Sequence, residues 1–152
     1  MQRVASFLRV AAVDARLEEF PEGTPTASDA ARAVGCTKAE IVKSLVFVCD
    51  ERPVLALVPG DKRADANRLA AAAGARYARV ARPDEVLSAT GFEPGAVAPF
   101  PAPNVSRVFM DRSFLRHELV WIGAGSDRHM AGIAPPDLAR LAKAEIADLT
   151  EA

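Results

Sequence analysis

Two apolar runs with a short polar link between them constrain the fold of this chain more than any other feature of its sequence. Residues 44–49 and 54–58 are almost wholly apolar, and the polar segment 50–53 that separates them ends in a proline. Short apolar runs bounded by turn-forming residues predict two strands joined as a hairpin. Because neither run alternates apolar with polar residues, neither face of the sheet should be wet, and helices are expected on both faces.

One charged residue, Lys43, stands at the start of the first run, where the backbone enters the predicted core. A lysine is almost never fully buried without a partner, because removing its ammonium group from water is costly. Its side chain therefore either extends to the surface or points into a polar site. On residue type alone the first interpretation is the more common one, and the later segments of the chain favour the second.

Helix and strand signals along the remaining sequence predict one α/β (α+β) domain over residues 1–152. A first helix starts near residue 4 and ends before Pro21, and Ser28 can cap a second helix. Thr37 and Glu40 have the spacing of a capping box. The further predicted helices span 29–34, 65–73, 83–89 and 135–143, and the predicted strands span 44–49, 54–58, 76–81, 107–111, 118–122, 130–133 and 146–149.

Two segments rich in glycine or proline interrupt these regular elements. Residues 91–104 have no periodicity, and a long loop of this kind in a compact domain is usually functional or disordered. The apolar residues Phe92, Val97 and Phe100 favour an ordered, packed loop. The segment 123–126, with the sequence GAGS, is expected to break the strand before it.

Composition and charge narrow the classes of protein that this chain can represent. Its 152 residues are enough for one domain with a core of its own, and its net charge of −1 argues against a surface that coats nucleic acid. Any nucleic acid should therefore meet a local patch, with Lys62, Arg63 and Arg68 as candidate phosphate contacts. Cys36 and Cys49 fit no metal spacing. With no secretory leader or membrane span in the sequence, a reducing cytoplasm is the expected compartment.

Conventional catalytic sets find little support in the sequence. Ser126, Asp127 and His129 are too close along the chain to form a triad, and Cys49 lies in an apolar strand where a thiolate is disfavoured. His117 and His129 have no spaced partners, so neither a metal nor any other cofactor is predicted. The segment 60–62 is interpreted as a β-turn, since it lacks the rest of a phosphate-binding loop.

What remains is Lys43 together with two glycine-containing loops. Glycines let backbone N–H groups approach a ligand closely, and such groups can stabilise an oxyanion. Each glycine taken alone is more simply explained as part of a turn, so it is the combination with Lys43 that indicates a site.

Four segments in this order and spacing strongly resemble the YbaK/EbsC family, which includes free-standing relatives of the editing insertion of bacterial prolyl-tRNA synthetase. They are IVKSLVF (41–47), LVPGD (57–61), TGFEPGAVAPF (90–100) and GAGS (123–126), within a resemblance that runs from about residue 26 to residue 149. The resemblance implies a mixed β-sheet flanked by helices and hydrolysis of the ester of mischarged tRNA in trans. The implied partners are the 3′ acceptor end of mischarged tRNA and, as a candidate, prolyl-tRNA synthetase.

The resemblance also implies roles for individual residues. Lys43 is the functional lysine, which holds the 3′-terminal nucleotide or offsets developing charge, and backbone amides around Gly95 bind the substrate carbonyl or its oxyanion. Separately from the resemblance, we hypothesise that a hydroxyl of the substrate's own ribose orients the attacking water, since no protein base is evident. The residues implied to bind substrate are Gly60, Asp61, Thr90, Gly91, Gly123, Gly125, Ser126 and His129.

Two departures from the family pattern bear on specificity. Where family members often have Ser-Pro-Phe-Gly, this chain has APFP (98–101), which could reshape the pocket and its amino-acid preference. His129 does not align clearly with a functional histidine. Two alternatives to a deacylase stay open: a non-catalytic module that binds tRNA ends or a synthetase, and an esterase for small amino-acid esters that needs no RNA.

Overall fold

A computed structural model describes residues 16–19, 26–93, 97–100, 104–126 and 129–151. It contains eight strands, four α-helices and two short 3₁₀ helices within those ranges. The strands are β1 (Arg16–Glu19), β2 (Val42–Cys49), β3 (Arg52–Pro59), β4 (Ala78–Val80), β5 (Arg107–Asp111), β6 (Val120–Ser126), β7 (His129–Ile133) and β8 (Ala144–Ala147). The helices are α1 (Ala27–Val34), α2 (Ala66–Ala73), α3 (Pro83–Thr90) and α4 (Pro135–Ala142).

The main sheet has five strands in the order β4-β2-β3-β5-β8 and is mixed, as the resemblance implied. Strands β2 and β3 form the predicted antiparallel hairpin, and β5 and β8 add parallel pairings at the other side. Asp50 and Glu51 form the turn of the hairpin with φ values of 46° and 71°. The hairpin is longer than predicted at its open end, so Lys43 lies inside β2 and pairs with Val58.

The main sheet is buried on both faces, as its continuous apolar strands predicted. One face packs under α2 through residues such as Phe47, Ala56 and Leu69. The opposite face, with Val46 and Leu57, packs against α3, α4 and part of a second sheet. Helices do cover both faces, but the sequence did not predict that a second sheet would share one of them.

The second sheet is antiparallel, with the order β1-β7-β6. Strand β1 was not predicted, because the segment before Pro21 was assigned to the end of a helix; the helix signal over residues 4–12 lies outside the described residues. The segment 123–126 does not break its strand: it is the end of β6, with a register shift between Gly123 and Ser126 where it pairs with β7. Glycine and alanine are compatible with a strand once a neighbouring strand supplies the backbone hydrogen bonds.

Of three local predictions, two need correction and one is confirmed. Thr26, rather than Ser28, caps α1, because its side chain accepts a hydrogen bond from the Asp29 N–H. The capping box of Thr37 and Glu40 is confirmed. The last strand begins at Ala144 rather than Ile146 because parallel pairing with β5 starts there. Each described α-helix has eight residues, and no described helix is long and apolar enough to cross a membrane.

Candidate functional site

Lys43 is half-buried, and its ammonium group is held in place by the turn that follows β3. Its Nζ donates a hydrogen bond of 2.7 Å to the backbone carbonyl of Lys62. Burial lowers the pKa of Lys43, the nearby cations Arg63 and Lys38 lower it further, and the Asp61 carboxylate opposes the shift. The Lys43 side chain therefore does not extend freely into solvent: it lies in a partly desolvated position among other charges.

These charges make up a cationic surface, which we define as Lys38, Lys43, Lys62 and Arg63. Lys38, Lys62 and Arg63 are exposed, and Asp61 lies beside them in the same turn. Side chains alternate across a strand, so Lys43 lies on the face of β2 that packs under α2. An anionic group such as a phosphate would find several donors here and one carboxylate close by.

The outer edge of β2 is open beside Lys43. β6 approaches that edge at one bridge, between Ile41 and Trp121, and β4 pairs with β2 only from Phe47 onward. Within the described residues, no strand pairs with the outer edge of residues 43–45, which we call the open edge. An unpaired sheet edge presents backbone N–H and C=O groups to whatever lies beside it.

Thr90 and Gly91 turn the chain out of α3 and into the loop 91–100. The Thr90 hydroxyl donates to the Val86 carbonyl (2.8 Å) and accepts from the Phe92 N–H (3.0 Å). Gly91 ends α3 with a φ of 73°, and its N–H donates to the carbonyl of Leu87. These hydrogen bonds show that Thr90 and Gly91 shape the start of the loop. A direct contact of either residue with substrate remains a prediction.

The loop beyond Gly91 is anchored in the core and lies against β6. Phe92, Ala98 and Phe100 are buried against the face of the main sheet opposite α2, in keeping with a packed loop. A Cβ added to Gly123 would lie 3.4 Å from the Val97 carbonyl oxygen, so β6 and the loop approach closely there. Gly95, to which an oxyanion role was assigned, lies outside the described residues.

The structure brings the open edge, β6 and the loop together on one side of β2. The bridge between Ile41 and Trp121 joins β2 to β6. Lys43 and Gly123 each lie two residues beyond this bridge on their own strand. The Lys43 ammonium and the loop nevertheless lie on opposite faces of β2. A substrate that contacts both has to cross the strand at its open edge.

Gly60 has a packing role that the sequence did not reveal. Its N–H donates to the carbonyls of Lys38 (3.0 Å) and Ile41 (2.9 Å). A Cβ at this position would come within 2.8 Å of both the Ala27 Cβ and the Lys38 carbonyl oxygen. Asp61, the next residue, is exposed and acts electrostatically on Lys43.

Gly125, Ser126 and His129 lie where β6 turns into β7. Ser126 pairs with His129 across the hairpin. The Nε2 atom of His129 lies 3.1 Å from a carboxylate oxygen of Glu19, its partner in the register of β1 and β7. Sequence reasoning missed this contact because it assigned the segment containing Glu19 to a helix.

We expect His129→Ala to lower the rate of the ester hydrolysis that the resemblance implies less than threefold. Its imidazole contacts Glu19 in the small sheet, and because the Glu19 carboxylate is exposed to solvent the pair contributes little, about 0–1 kcal/mol, to stability. Single-turnover deacylation and thermal melts of His129→Ala and Glu19→Ala check this, and the two variants should behave alike. A rate loss above a hundredfold in His129→Ala alone would instead make His129 a catalytic group.

Two surface cavities, of about 380 and 370 Å³, lie at the other end of the hairpin near Asp50 and Glu51. Residues such as Cys49, Arg52 and Arg107 line the first of them, and no predicted site residue lines either. The candidate site at the open strand edge is therefore separate from both of these cavities.

Comparison with known proteins identifies the class to which this fold and site belong. Residues 21–141 match the family model described as the aminoacyl-tRNA editing domain, and the chain belongs to this family. A solved structure of a proposed trans-editing enzyme for prolyl-tRNA synthetase superposes with a TM-score of 0.90 at 34% identity, covering 99% of this chain and 96% of that one.

Two relatives show the family in two settings. The uncharacterized protein YwhH of Bacillus subtilis (strain 168) is 30% identical over 129 residues, which is 84% of this chain and 82% of that protein. The proline–tRNA ligase of Nitratidesulfovibrio vulgaris (strain DP4) is 34% identical over 123 residues, which is 79% of this chain and 21% of the ligase. The chain thus spans about a fifth of the length of that ligase.

Proposed function

We propose that this protein is an aminoacyl-tRNA deacylase, which hydrolyses the ester of mischarged tRNA in trans and acts as a single domain over residues 1–152. Membership of the editing-domain family supports the class of reaction. The observation that carries the proposal is the position of Lys43, a half-buried ammonium at a cationic surface beside an open strand edge. Such a site suits a substrate that joins an anionic nucleotide to a small, polar acyl group.

The chemistry needs little besides positioning and charge stabilisation. Water adds to the ester carbonyl carbon, and the carbonyl oxygen becomes an oxyanion. When the intermediate collapses, the bond to the ribose oxygen breaks, this oxygen takes up the proton that the attacking water has lost, and the amino acid and tRNA leave. Lys43 and the cationic surface hold the 3′-terminal nucleotide, and backbone amides stabilise the oxyanion. A ribose hydroxyl orients the water.

The proposed substrate is a mischarged tRNA of the prolyl type, recognised by its 3′ acceptor end. Similarity to part of a proline–tRNA ligase and to a proposed trans-editing enzyme for prolyl-tRNA synthetase supports this choice. Prolyl-tRNA synthetase is the candidate protein partner, since it would release the substrate. Aminoacyl-tRNA is made and used at the site of translation, so the proposal carries a cytoplasmic location.

A panel of charged tRNAs tests the proposal directly. Purified protein in excess over Ala-, Cys- and Pro-tRNA(Pro) should hydrolyse at least one mischarged species much faster than the correctly charged one. Binding of every species without turnover would instead favour the module that recognises tRNA ends. Equal turnover of simple amino-acid esters, with no gain from the tRNA, would favour the small-molecule esterase.

We expect tRNA binding to be weak and only moderately dependent on salt. The cationic surface and the nearby Arg68 provide few phosphate contacts, and each contact contributes about one unit to the slope of log K against log salt. Titrations between about 50 and 200 mM salt should therefore give a slope of about −2 to −4. A slope of about −8 would require contacts well beyond the cationic surface.

A further inference from the structure

Ser44 has a buried hydroxyl that the fold does not use. Its Oγ is enclosed by protein and has no hydrogen-bond partner. Among the described residues, this is the buried side-chain oxygen or nitrogen atom that lacks a hydrogen-bond partner. The residue as a whole is partly exposed. An unpaired buried hydroxyl costs folding free energy, and in native proteins such a group calls for an explanation.

The backbone of Ser44 faces the open edge. The Gly60 N–H donates to the Ile41 carbonyl. In an antiparallel pair every second residue bonds to the partner strand, so the backbone N–H and C=O groups of Lys43 and Leu45 also point toward β3. The backbone N–H and C=O groups of Val42, Ser44 and Val46 must then point away from β3, toward the outer edge of the sheet. The hydrogen bond from the Ala81 N–H to the Val46 carbonyl, on that outer side, agrees with this alternation.

The side chain of Ser44 lies on the face of β2 that carries the loop. Val42 and Val46 belong to the same face and pack in the cluster that contains Phe92, Ala98 and Phe100. The Ser44 hydroxyl and its N–H group therefore lie at the edge where β2, β6 and the loop meet. The Ser44 Oγ has no hydrogen-bond partner, so a rotation about χ1 toward the edge would break no hydrogen bond.

Resting on the function proposed above, we propose that Ser44 is a further catalytic residue, whose Oγ–H and backbone N–H donate hydrogen bonds to the carbonyl oxygen of the ester. The nearby charges favour a donor role, because Lys43 and the rest of the cationic surface favour negative charge at this end of β2. The same two donors would stabilise the oxyanion that forms when water adds. The unpaired hydroxyl is then a binding group kept ready for substrate at a cost to stability.

The test is single-turnover deacylation with saturating protein, alongside thermal melts. Ser44→Ala should lower the saturated rate by about 10- to 1000-fold, the loss typical of one oxyanion donor, leave the half-saturating protein concentration unchanged, and hold or raise the melting temperature. Ser44→Thr keeps the hydroxyl and should retain most of the rate. Ser106→Ala is the matched control, since the Ser106 hydroxyl has a partner in the Pro53 carbonyl and lies away from the open edge.

The outcomes separate the two proposals. If wild-type protein hydrolyses no charged tRNA, the proposed function fails before Ser44 is tested. If wild-type protein is active and Ser44→Ala matches its saturated rate, the role of Ser44 is overturned and the function stands. A lower melting temperature in Ser44→Ala, together with an unchanged rate per folded molecule, would give the hydroxyl a structural role and would also overturn the proposal.

Discussion

Replacing Lys43 with alanine is expected to lower the rate of deacylation by a factor of a hundred or more while leaving the protein folded. The loss corresponds to about 3 kcal/mol of transition-state stabilisation, which is typical of one preorganised electrostatic contact. Stability should stay level or rise, because the ammonium is partly desolvated among other cations. Single-turnover hydrolysis of a mischarged tRNA and thermal melts of each variant measure both effects.

Three further variants separate the charge of Lys43 from its volume and its neighbours. Lys43→Met keeps most of the volume and should be as inactive as Lys43→Ala. Lys43→Arg should not rescue activity, since a guanidinium group is bulkier and directs its donors differently. Lys62→Ala tests the exposed part of the cationic surface: the carbonyl that holds Lys43 remains, so we expect weaker tRNA binding and a saturated rate that falls less than tenfold. If a well-folded Lys43→Ala variant kept the wild-type rate, the catalytic role of Lys43 would be refuted. The alternative of a module that binds tRNA ends without catalysis would then be favoured.

The second large effect is expected on stability, from Gly60→Ala. The new Cβ would lie 2.8 Å from the Lys38 carbonyl oxygen and from the Ala27 Cβ, and the backbone has to move to relieve the overlap. Overpacking of this kind costs about 1–3 kcal/mol, and displacement of the Gly60 hydrogen bonds should place this variant at the upper end. Urea unfolding with an unchanged m-value measures the loss.

Gly123→Ala provides the matched comparison for Gly60→Ala. Its Cβ would lie 3.4 Å from the Val97 carbonyl oxygen, a contact that needs little or no rearrangement. We expect less than about 1 kcal/mol of destabilisation and a clear loss of activity, because the methyl group narrows the gap between β6 and the loop. Gly60→Ala should show the reverse, with a lower stability and a nearly normal rate per folded molecule. Equal stability losses in both variants would refute this division of roles.

Gly60 and Gly123 show that the same residue type can have two different structural roles. In the sequence, Gly60 and Gly123 both belong to segments that resemble the family, and both were assigned to substrate binding. The structure shows that Gly60 is enclosed between α1 and the 3₁₀ helix Lys38–Glu40, whereas Gly123 lies at the meeting of β6 and the loop. Contact with substrate at either glycine remains a prediction, but the geometry favours Gly123.

Local patterns in the sequence are enough to predict the hairpin, the apolar packing on both faces of the main sheet, the glycines that end α1, α2 and α3, and the family. Each of these follows from local chemistry: continuous apolar runs form buried strands, and a glycine with a positive φ ends a helix. The family followed from short segments whose order and spacing are visible without a structure.

Which groups of the site meet depends on contacts between residues that are far apart in the sequence. Strand β1 has no periodic signal of its own and exists because β7 supplies its hydrogen bonds, which also brings Glu19 to His129. Lys43 and Ser44 are adjacent in the sequence, yet the alternation of side chains sends one toward the cationic surface and the other toward the loop. The open edge of β2 beside these two residues is unpaired because β4 and β6 pair with other parts of the strand. This long-range arrangement cannot be derived from the local pattern of residues.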